Sequence, residues 1–94
     1  GLVGSEMCIR DRYLQRVELR LLPEYGAWVK AYVSYDEGRH WQYAGELKGE
    51  QRLRAGLLAV RPVRCPQLRL RLEGHGNCRI YSVSAVYEKG SDLP

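Results

Sequence analysis

The sequence predicts an all-β protein, a single antiparallel β-sandwich of about six strands. The first observation behind this prediction is a set of turn signals that recur about every 12 residues, the spacing typical of sandwiches and barrels. The second is the alternation of apolar and polar residues between those signals, with no segment of helical periodicity. The turn signals are Pro23 to Gly26, Asp36 to Arg39, Lys48 to Glu50, Arg61 to Pro66 and Gly74 to Asn77. We expect strands over residues 13–22, 27–35, 40–47, 52–60, 67–73 and 78–88.

Period-2 alternation in three of these strands separates an apolar set from a polar or aromatic set, and the apolar set should face the core. In the strand over residues 13–22 the apolar set is Val17, Leu19 and Leu21, set between Arg16, Glu18 and Arg20. In the strand over residues 27–35 it is Val29, Ala31 and Val33, opposite Trp28, Lys30 and Tyr32. In the strand over residues 67–73 it is Leu68, Leu70 and Leu72, opposite Arg69, Arg71 and Glu73.

The last strand and the loop before residue 67 have weaker patterns. In residues 78–88, one set contains Ile80, Ser82, Ser84 and Val86, and the other contains Arg79, Tyr81, Val83, Ala85 and Tyr87. We expect the Tyr/Val/Ala set to be the core face. The loop Arg61 to Pro66 contains two prolines. Because proline cannot donate to a central ladder, this loop should cross from one sheet to the other. The size and turn spacing fit a sandwich of jelly-roll or galactose-binding-like character.

Composition limits the function classes. The chain has 94 residues and a formal charge of +4. No apolar run is long enough to span a membrane. Cys65 and Cys78 do not make a disulfide scaffold, and their spacing to His75 fits no familiar zinc module. No nucleophile, metalloprotease or phosphate-loop motif is present. We therefore predict a protein that is not an enzyme and binds no cofactor or metal.

The segment Ser34 to Trp41 has the pattern S-x-D-x-G-x-x-W. This pattern resembles the Asp-box of sialidase-like propellers and related β-hairpins, in which the motif is structural. Asp36 can accept backbone N–H bonds across the turn, and Gly38 can supply a positive φ. We expect Ser34, Asp36, Gly38 and Trp41 to form a structural turn, with Trp41 packed on the inner side of the hairpin.

Four aromatic residues and two arginines are candidates for contact with a ligand or partner: Trp28, Tyr35, Trp41, Tyr43, Arg69 and Arg71. One interpretation places the aromatic residues in the core or in a subunit interface, since the chain has no Phe. The other makes them a platform on which a sugar stacks. The arginines could belong to a basic face for nucleic acid, but pairing with neighbouring carboxylates on the solvent side of a strand is the ordinary outcome.

Residues 64–82 read R-C-P-Q-L-R-L-R-L-E-G-H-G-N-C-R-I-Y-S, followed later by Glu88, Gly90, Ser91 and Asp92. Together with Val33 to Trp41 upstream, this stretch resembles the C-terminal end of structural proteins encoded by phages and prophages of gut bacteria. The resemblance covers roughly residues 27 to 92. It implies a virion component near the tail or the head–tail junction, without a catalytic residue.

From this resemblance we expect a non-catalytic structural or interaction module of a phage virion protein. Its partners would be neighbouring virion subunits, and its location the virion, assembled in the cytoplasm of a bacterial host. The alternative is a carbohydrate-binding β-sandwich module with a glycan as its partner. We expect no membrane partner and no nucleic acid.

Residues Leu2 to Arg12 resemble the conceptual translation of a transposase adapter used to build sequencing libraries. Within them, Met7 to Asp11 read back as ATG-TGT-ATA-AGA-GAC, the mosaic end of that adapter. The resemblance implies that residues 1–12 are not part of the fold and should pack on nothing. It also implies that residues 13–94 are the β-sandwich module, the C-terminal part of a longer protein.

Overall fold

The structure, a computed structural model, describes residues 5–88 of the chain. These residues form seven strands and no helix. The strands are β1 (Ser5–Ile9), β2 (Leu14–Pro23), β3 (Trp28–Ser34), β4 (Gln42–Lys48), β5 (Gly56–Val60), β6 (Leu68–His75) and β7 (Cys78–Tyr87). They make a four-stranded sheet in the order β1-β6-β3-β4 and a three-stranded sheet in the order β5-β2-β7. Each paired strand runs antiparallel to its neighbour, so the predicted all-β sandwich is confirmed.

Each predicted strand range corresponds to one observed strand, β2 to β7, with displaced ends. The largest displacement is at residues 52–60, where the strand begins only at Gly56. The predicted crossover is confirmed, because β5 belongs to the three-stranded sheet and β6 to the four-stranded sheet. The loop from Arg61 to Pro66 therefore carries the chain between the two layers. Among residues 5–88 the structure has no helix with the length and apolarity needed to cross a bilayer.

The core lies between the two sheets and consists of the predicted alternating sets. Leu19, Leu21, Val29, Ala31 and Leu70 are fully buried. The full cluster of buried residues is Leu14, Val17, Leu19, Leu21, Val29, Ala31, Val33, Leu58, Val60, Leu68, Leu70 and Leu72. Complete burial of a leucine side chain stabilises the fold by roughly 2 kcal/mol. Alternation in β2, β3 and β6 thus fixes which face of each strand is inside.

The segment that resembles a translated adapter does take part in the fold. Strand β1 pairs with β6 from Ser5 opposite Leu72 to Ile9 opposite Leu68. Met7 and Ile9 pack against the core. The prediction that residues 1–12 pack on nothing is therefore wrong for residues 5–9. The physical reason is that β6 offers an open backbone edge, and an extended segment with two apolar residues of the same parity can pair with it. The adapter origin of the segment stays a prediction.

Strand β7 departs from the sequence-based prediction in its burial. The predicted core set Tyr81, Val83, Ala85 and Tyr87 is exposed along its length. A register shift between Arg20 and Leu21 of β2 leaves Tyr81 as an extra residue on β7. Because of this extra residue, side chains before the bulge alternate between the two faces in the opposite phase to those after it. The Gly90, Ser91 and Asp92 of the phage resemblance and residues 1–4 of the adapter-like segment lie outside the described residues.

Candidate interaction surfaces

The turn between β3 and β4 is held by the side chains of Ser34 and Asp36. The Asp36 carboxylate accepts hydrogen bonds from the Ser34 hydroxyl at 2.8 Å and from the His40 backbone N–H at 2.9 Å. Its other oxygen lies 2.5 Å from Nδ1 of His40. The Ser34 hydroxyl accepts the backbone N–H of Gly38 at 2.8 Å. The Asp36 side chain thus reaches the backbone four residues on, rather than the two of a simple Asx turn, and both of its oxygens have a partner in the turn.

The backbone of this turn requires residue 38 to be glycine. Gly38 has a φ of 90° and Glu37 a φ of 62°, and the backbone N–H of Arg39 donates to the Asp36 carbonyl at 3.5 Å. Two central residues with positive φ are the mark of a type I′ hairpin turn. A Cβ at position 38 would also lie 3.1 Å from the guanidinium of Arg69. Sequence reasoning found Gly38 but missed Glu37, because glutamate carries no signal for a positive φ.

The hydrogen bonds to Asp36 predict that the protein loses stability in acid. The side-chain bond from His40, its backbone N–H and the Ser34 hydroxyl hold the pKa of this carboxyl well below its usual range. A lowered folded-state pKa stabilises the fold above the unfolded value of about 3.9, and that stability is lost as the pH falls toward the folded value. We expect the urea concentration at the denaturation midpoint to decrease as the pH is lowered from about 5 to about 2. We expect this decrease to be smaller in Asp36→Asn. Urea titrations at a series of pH values measure it; an unchanged slope in the variant would contradict the prediction.

Trp41 does not lie on the inner side of the hairpin, as the sequence predicts, but on its outer side. The Arg71 guanidinium lies 5.6 Å from the centroid of the Trp41 ring. Arg71 alternates with the buried Leu70 and Leu72, so its side chain leaves the sheet on the solvent side. Trp41 is half-buried there and is not part of the buried core. The cause is the turn, which ends at His40 and brings Trp41 over β6.

The solvent side of the four-stranded sheet gathers most of the predicted contact residues. We call it the aromatic face and define it as Trp28, Lys30, Tyr32, Trp41, Tyr43, Arg69, Arg71 and His75. Five of the six predicted contact residues lie on it: Trp28, Trp41, Tyr43, Arg69 and Arg71. The register explains this, because Tyr32 is opposite Arg71 on one side and Tyr43 on the other. Alternation on three adjacent strands therefore builds one continuous surface.

Cations and neighbouring rings already contact the rings of the aromatic face. The Lys30 ammonium lies 4.8 Å from the centroid of Trp28, and His75 stacks on the same ring at 6.0 Å. Tyr32 and Tyr43 meet edge to face at 6.1 Å. Such cation–π contacts contribute about 0.5–1 kcal/mol each at an exposed site. The surface is therefore ordered before any ligand arrives.

Tyr35, the sixth predicted contact residue, lies elsewhere. Its ring packs against the core, and its hydroxyl accepts the backbone N–H of Val63 at 3.0 Å. It thereby ties the end of β3 to the crossover loop between β5 and β6. Tyr35 has a structural contact in the described part of the chain, and its contact with a ligand or partner stays a prediction.

Sequence reasoning missed the second exposed surface, which is β7. Ile80, Tyr81, Val83 and Tyr87 are 42%, 50%, 48% and 49% exposed. Pairing with β2 places Val83 beside Leu19, so Val83 points to the core side of its sheet. The four-stranded sheet does not cover it there. A signal was present in the sequence, because apolar residues occupy both parities of Ile80 to Tyr87 and no charged residue interrupts them.

The remaining groups of the described residues include two pockets and two cysteine thiols. Two shallow pockets, of about 140 and about 180 Å³, are smaller than the roughly 300–1,000 Å³ typical of ligand sites. Burial raises the pKa of the Cys65 and Cys78 thiols, which lowers their thiolate fraction and their reactivity. Within residues 5–88, no group of three or more His, Cys, Asp or Glu side chains is placed to hold a metal ion.

No family model, no curated protein and no solved structure matches the chain.

Proposed function

We propose that the chain is a non-catalytic interaction module of a phage virion protein that docks onto neighbouring virion subunits through β7. The observation that carries the proposal is the half-exposed row of Ile80, Tyr81, Val83 and Tyr87 on one strand. The virion context rests on the resemblance of residues 27–92 to phage structural proteins. The module works in the virion, which is assembled in the cytoplasm of the bacterial host.

Burial of this row would supply binding energy in the usual manner of protein interfaces. Tyrosines buried at the centre of an interface are among the residues that contribute most to affinity. Each half-exposed side chain still has about half of its apolar area to lose from water, at roughly 25 cal/mol per Å². A contiguous exposed apolar patch of this kind is typical of a protein interaction site.

The remaining surface features support a binding role rather than catalysis. Asp36, the carboxylate with the strongly lowered pKa, is engaged by Ser34 and His40 in the turn. Its unusual pKa therefore has a structural cause. The thiols of Cys65 and Cys78 have raised pKa values, the opposite of what a nucleophilic cysteine needs.

Co-sedimentation with particles of the phage that encodes the chain tests the proposal. We expect the purified protein to pellet with the particles in a density gradient, and Val83→Lys to abolish this because it places a charge in the apolar row. Leu57→Lys is the matched control, since Leu57 is 53% exposed on β5, at the other edge of the same sheet. Equal pelleting of Val83→Lys, or no pelleting of the wild type, contradicts the proposal.

The aromatic face favours a second candidate function, the binding of an oligosaccharide. Trp28, Trp41 and Tyr43 lie on one face beside Arg69 and Arg71, and Tyr43 is 57% exposed. Aromatic rings offer apolar contact area, and the Arg69 guanidinium offers paired donors for hydroxyl or carboxylate oxygens, whereas that of Arg71 already pairs with Glu73 at 2.8 Å.

A fluorescence titration distinguishes this candidate from the first. Saturable quenching of tryptophan emission by a bacterial surface oligosaccharide, lost in Trp41→Ala and kept in Tyr35→Phe, would support sugar binding. Tyr35→Phe is a suitable control because Tyr35 lies away from the aromatic face. Emission unchanged across a panel of such oligosaccharides would exclude it.

A further inference from the structure

Strand β7 is an edge strand that, beyond its bulge at Tyr81, lacks the features that protect other edges of this fold. It is ten residues long, and within residues 5–88 it pairs only with β2, so no described strand covers its second side. From Ile80 to Tyr87 it has no charged residue, no proline and no glycine. Long uncharged edges are templates for pairing with another chain, and natural proteins usually block them.

The other three edges differ from β7 in length or charge. Strands β1 and β5 are five residues long. Strand β4 carries Glu46 and Lys48 and is interrupted by a bulge near Gly45, whose φ is 146°. Charges, bulges and short length are the devices that keep edges from pairing. The contrast sets β7 apart as the edge that is suited to a partner strand.

We propose that the partner strand is the β7 of a second copy of this chain, paired antiparallel edge to edge. The inference rests on the proposed function, because it names one partner of the same strand. The strand is compatible with itself: a copy of the uncharged stretch Ser82–Tyr87 places no like charges opposite each other, although the whole chain carries +4. Pairing about a two-fold axis joins the two three-stranded sheets into one continuous sheet.

The bulge and the side-chain parity fix the register of the pair. Beyond the extra residue Tyr81, the register with β2 is continuous from Ser82 to Val86, and the second shift, at Val86 and Tyr87, comes from an extra residue of β2, Gln15. Residues opposite each other must point to the same face, so the two-fold axis passes through one residue position. An axis at Ala85 keeps the ladder clear of the bulge and sets Val83 of each copy opposite Tyr87 of the other. That pair is an aromatic and a β-branched residue, a combination that stabilises cross-strand pairing.

A two-fold pair closes on itself and leaves no β7 edge free. Because both β7 edges are then paired, further copies cannot add to them, and an open-ended fibre does not form through β7. A ladder of this length buries less area than a standard protein interface, so we expect reversible association in the micromolar range. The half-exposed Val83 and Tyr87 would lose much of their remaining contact with water.

Analytical ultracentrifugation of the isolated chain at micromolar concentrations tests whether β7 pairs with a second copy of the chain. We expect the average mass to rise with concentration toward twice that of the monomer, Val83→Lys to remain monomeric, and Leu57→Lys to behave as the wild type. A monomer at all concentrations, or a dimer that Val83→Lys leaves intact, overturns the inference. If the protein is monomeric but pellets with phage particles and Val83→Lys does not, the inference is wrong and the proposed function stands. If the protein dimerises but does not pellet, the proposed function is wrong.

Oxidative crosslinking tests the register. Residues directly opposite have Cβ atoms about 4.5–5.5 Å apart, whereas diagonal neighbours are about 7–8 Å apart. We expect Ala85→Cys to form a covalent dimer and Ser84→Cys not to, with the wild type, whose Cys8 is exposed, measuring the background. Crosslinking of Ser84→Cys instead, or at neither position, overturns the axis at Ala85.

Discussion

Replacing Leu70 with alanine is expected to lower the free energy of unfolding by about 3–4 kcal/mol. Leu70 is fully buried, and its strand β6 pairs with β1 on one side and β3 on the other. The surrounding strands cannot collapse into the space because their backbones are tied in ladders, so the cavity adds to the lost transfer free energy. Small domains have total stabilities of about 5 kcal/mol or somewhat more, so the variant should be close to unfolded.

Urea denaturation followed by circular dichroism measures this loss. Leu57→Ala removes the same atoms from a side chain that is 53% exposed, and we expect it to cost less than about 1 kcal/mol. The difference between the two leucines isolates the effect of burial. Equal losses in the two variants would mean that Leu70 does not lie in a packed core.

Gly49→Ala is expected to destabilise the protein by about 2–3 kcal/mol or prevent it from folding, although only one methyl group is added. A Cβ at residue 49 would overlap with the carbonyl oxygen of Glu24 and lie 3.0 Å from that of Pro23. Both are backbone atoms, so no side-chain rotation relieves the clash. The Gly49 backbone N–H donates to the Ala27 carbonyl at 2.8 Å, which holds the two segments together.

Gly26→Ala is the control that separates steric clash from backbone conformation. Gly26 has a φ of 87°, but a Cβ there would meet no atom within 4 Å. We expect that variant to lose about 1 kcal/mol, the cost of placing alanine at a positive φ. Thermal unfolding of both variants makes the comparison. A Gly49→Ala protein as stable as Gly26→Ala would show that residues 23–24 and 49 do not approach each other so closely.

Alternation alone was sufficient to predict the core of this fold. In β2, β3 and β6 the apolar residues alternate with polar or aromatic ones, except for Leu22 beside Leu21, so only one choice of inner face buries the apolar set. The same rule placed Trp28, Arg69 and Arg71 on the solvent side. The contact of Arg71 with Trp41 depends on the register between segments that are distant in sequence, and residue type does not encode that register.

Where the pattern is ambiguous, prediction from sequence failed. In β7 both parities are apolar, and the choice of a core face assumed that one of them would be covered. An extra residue at Tyr81 changes parity within the strand, and a bulge of this kind has no signature without glycine. In β1, pairing depends on the open edge of β6 and not on the origin of residues 5–9.

The longest ladder of the fold joins strands from opposite ends of the described sequence, and this sets an order of events during synthesis. Strand β2 has β7 as one neighbour, with Leu14 opposite Tyr87. At about 5–20 residues per second, a ribosome needs several seconds to deliver the second strand after the first. Until then the β7 side of strand β2 has no partner, although β5 and the four-stranded sheet can already cover part of Leu19 and its neighbours. We expect a nascent chain halted before Cys78 to be sensitive to protease and to recruit chaperones, and to become resistant once Tyr87 has been released.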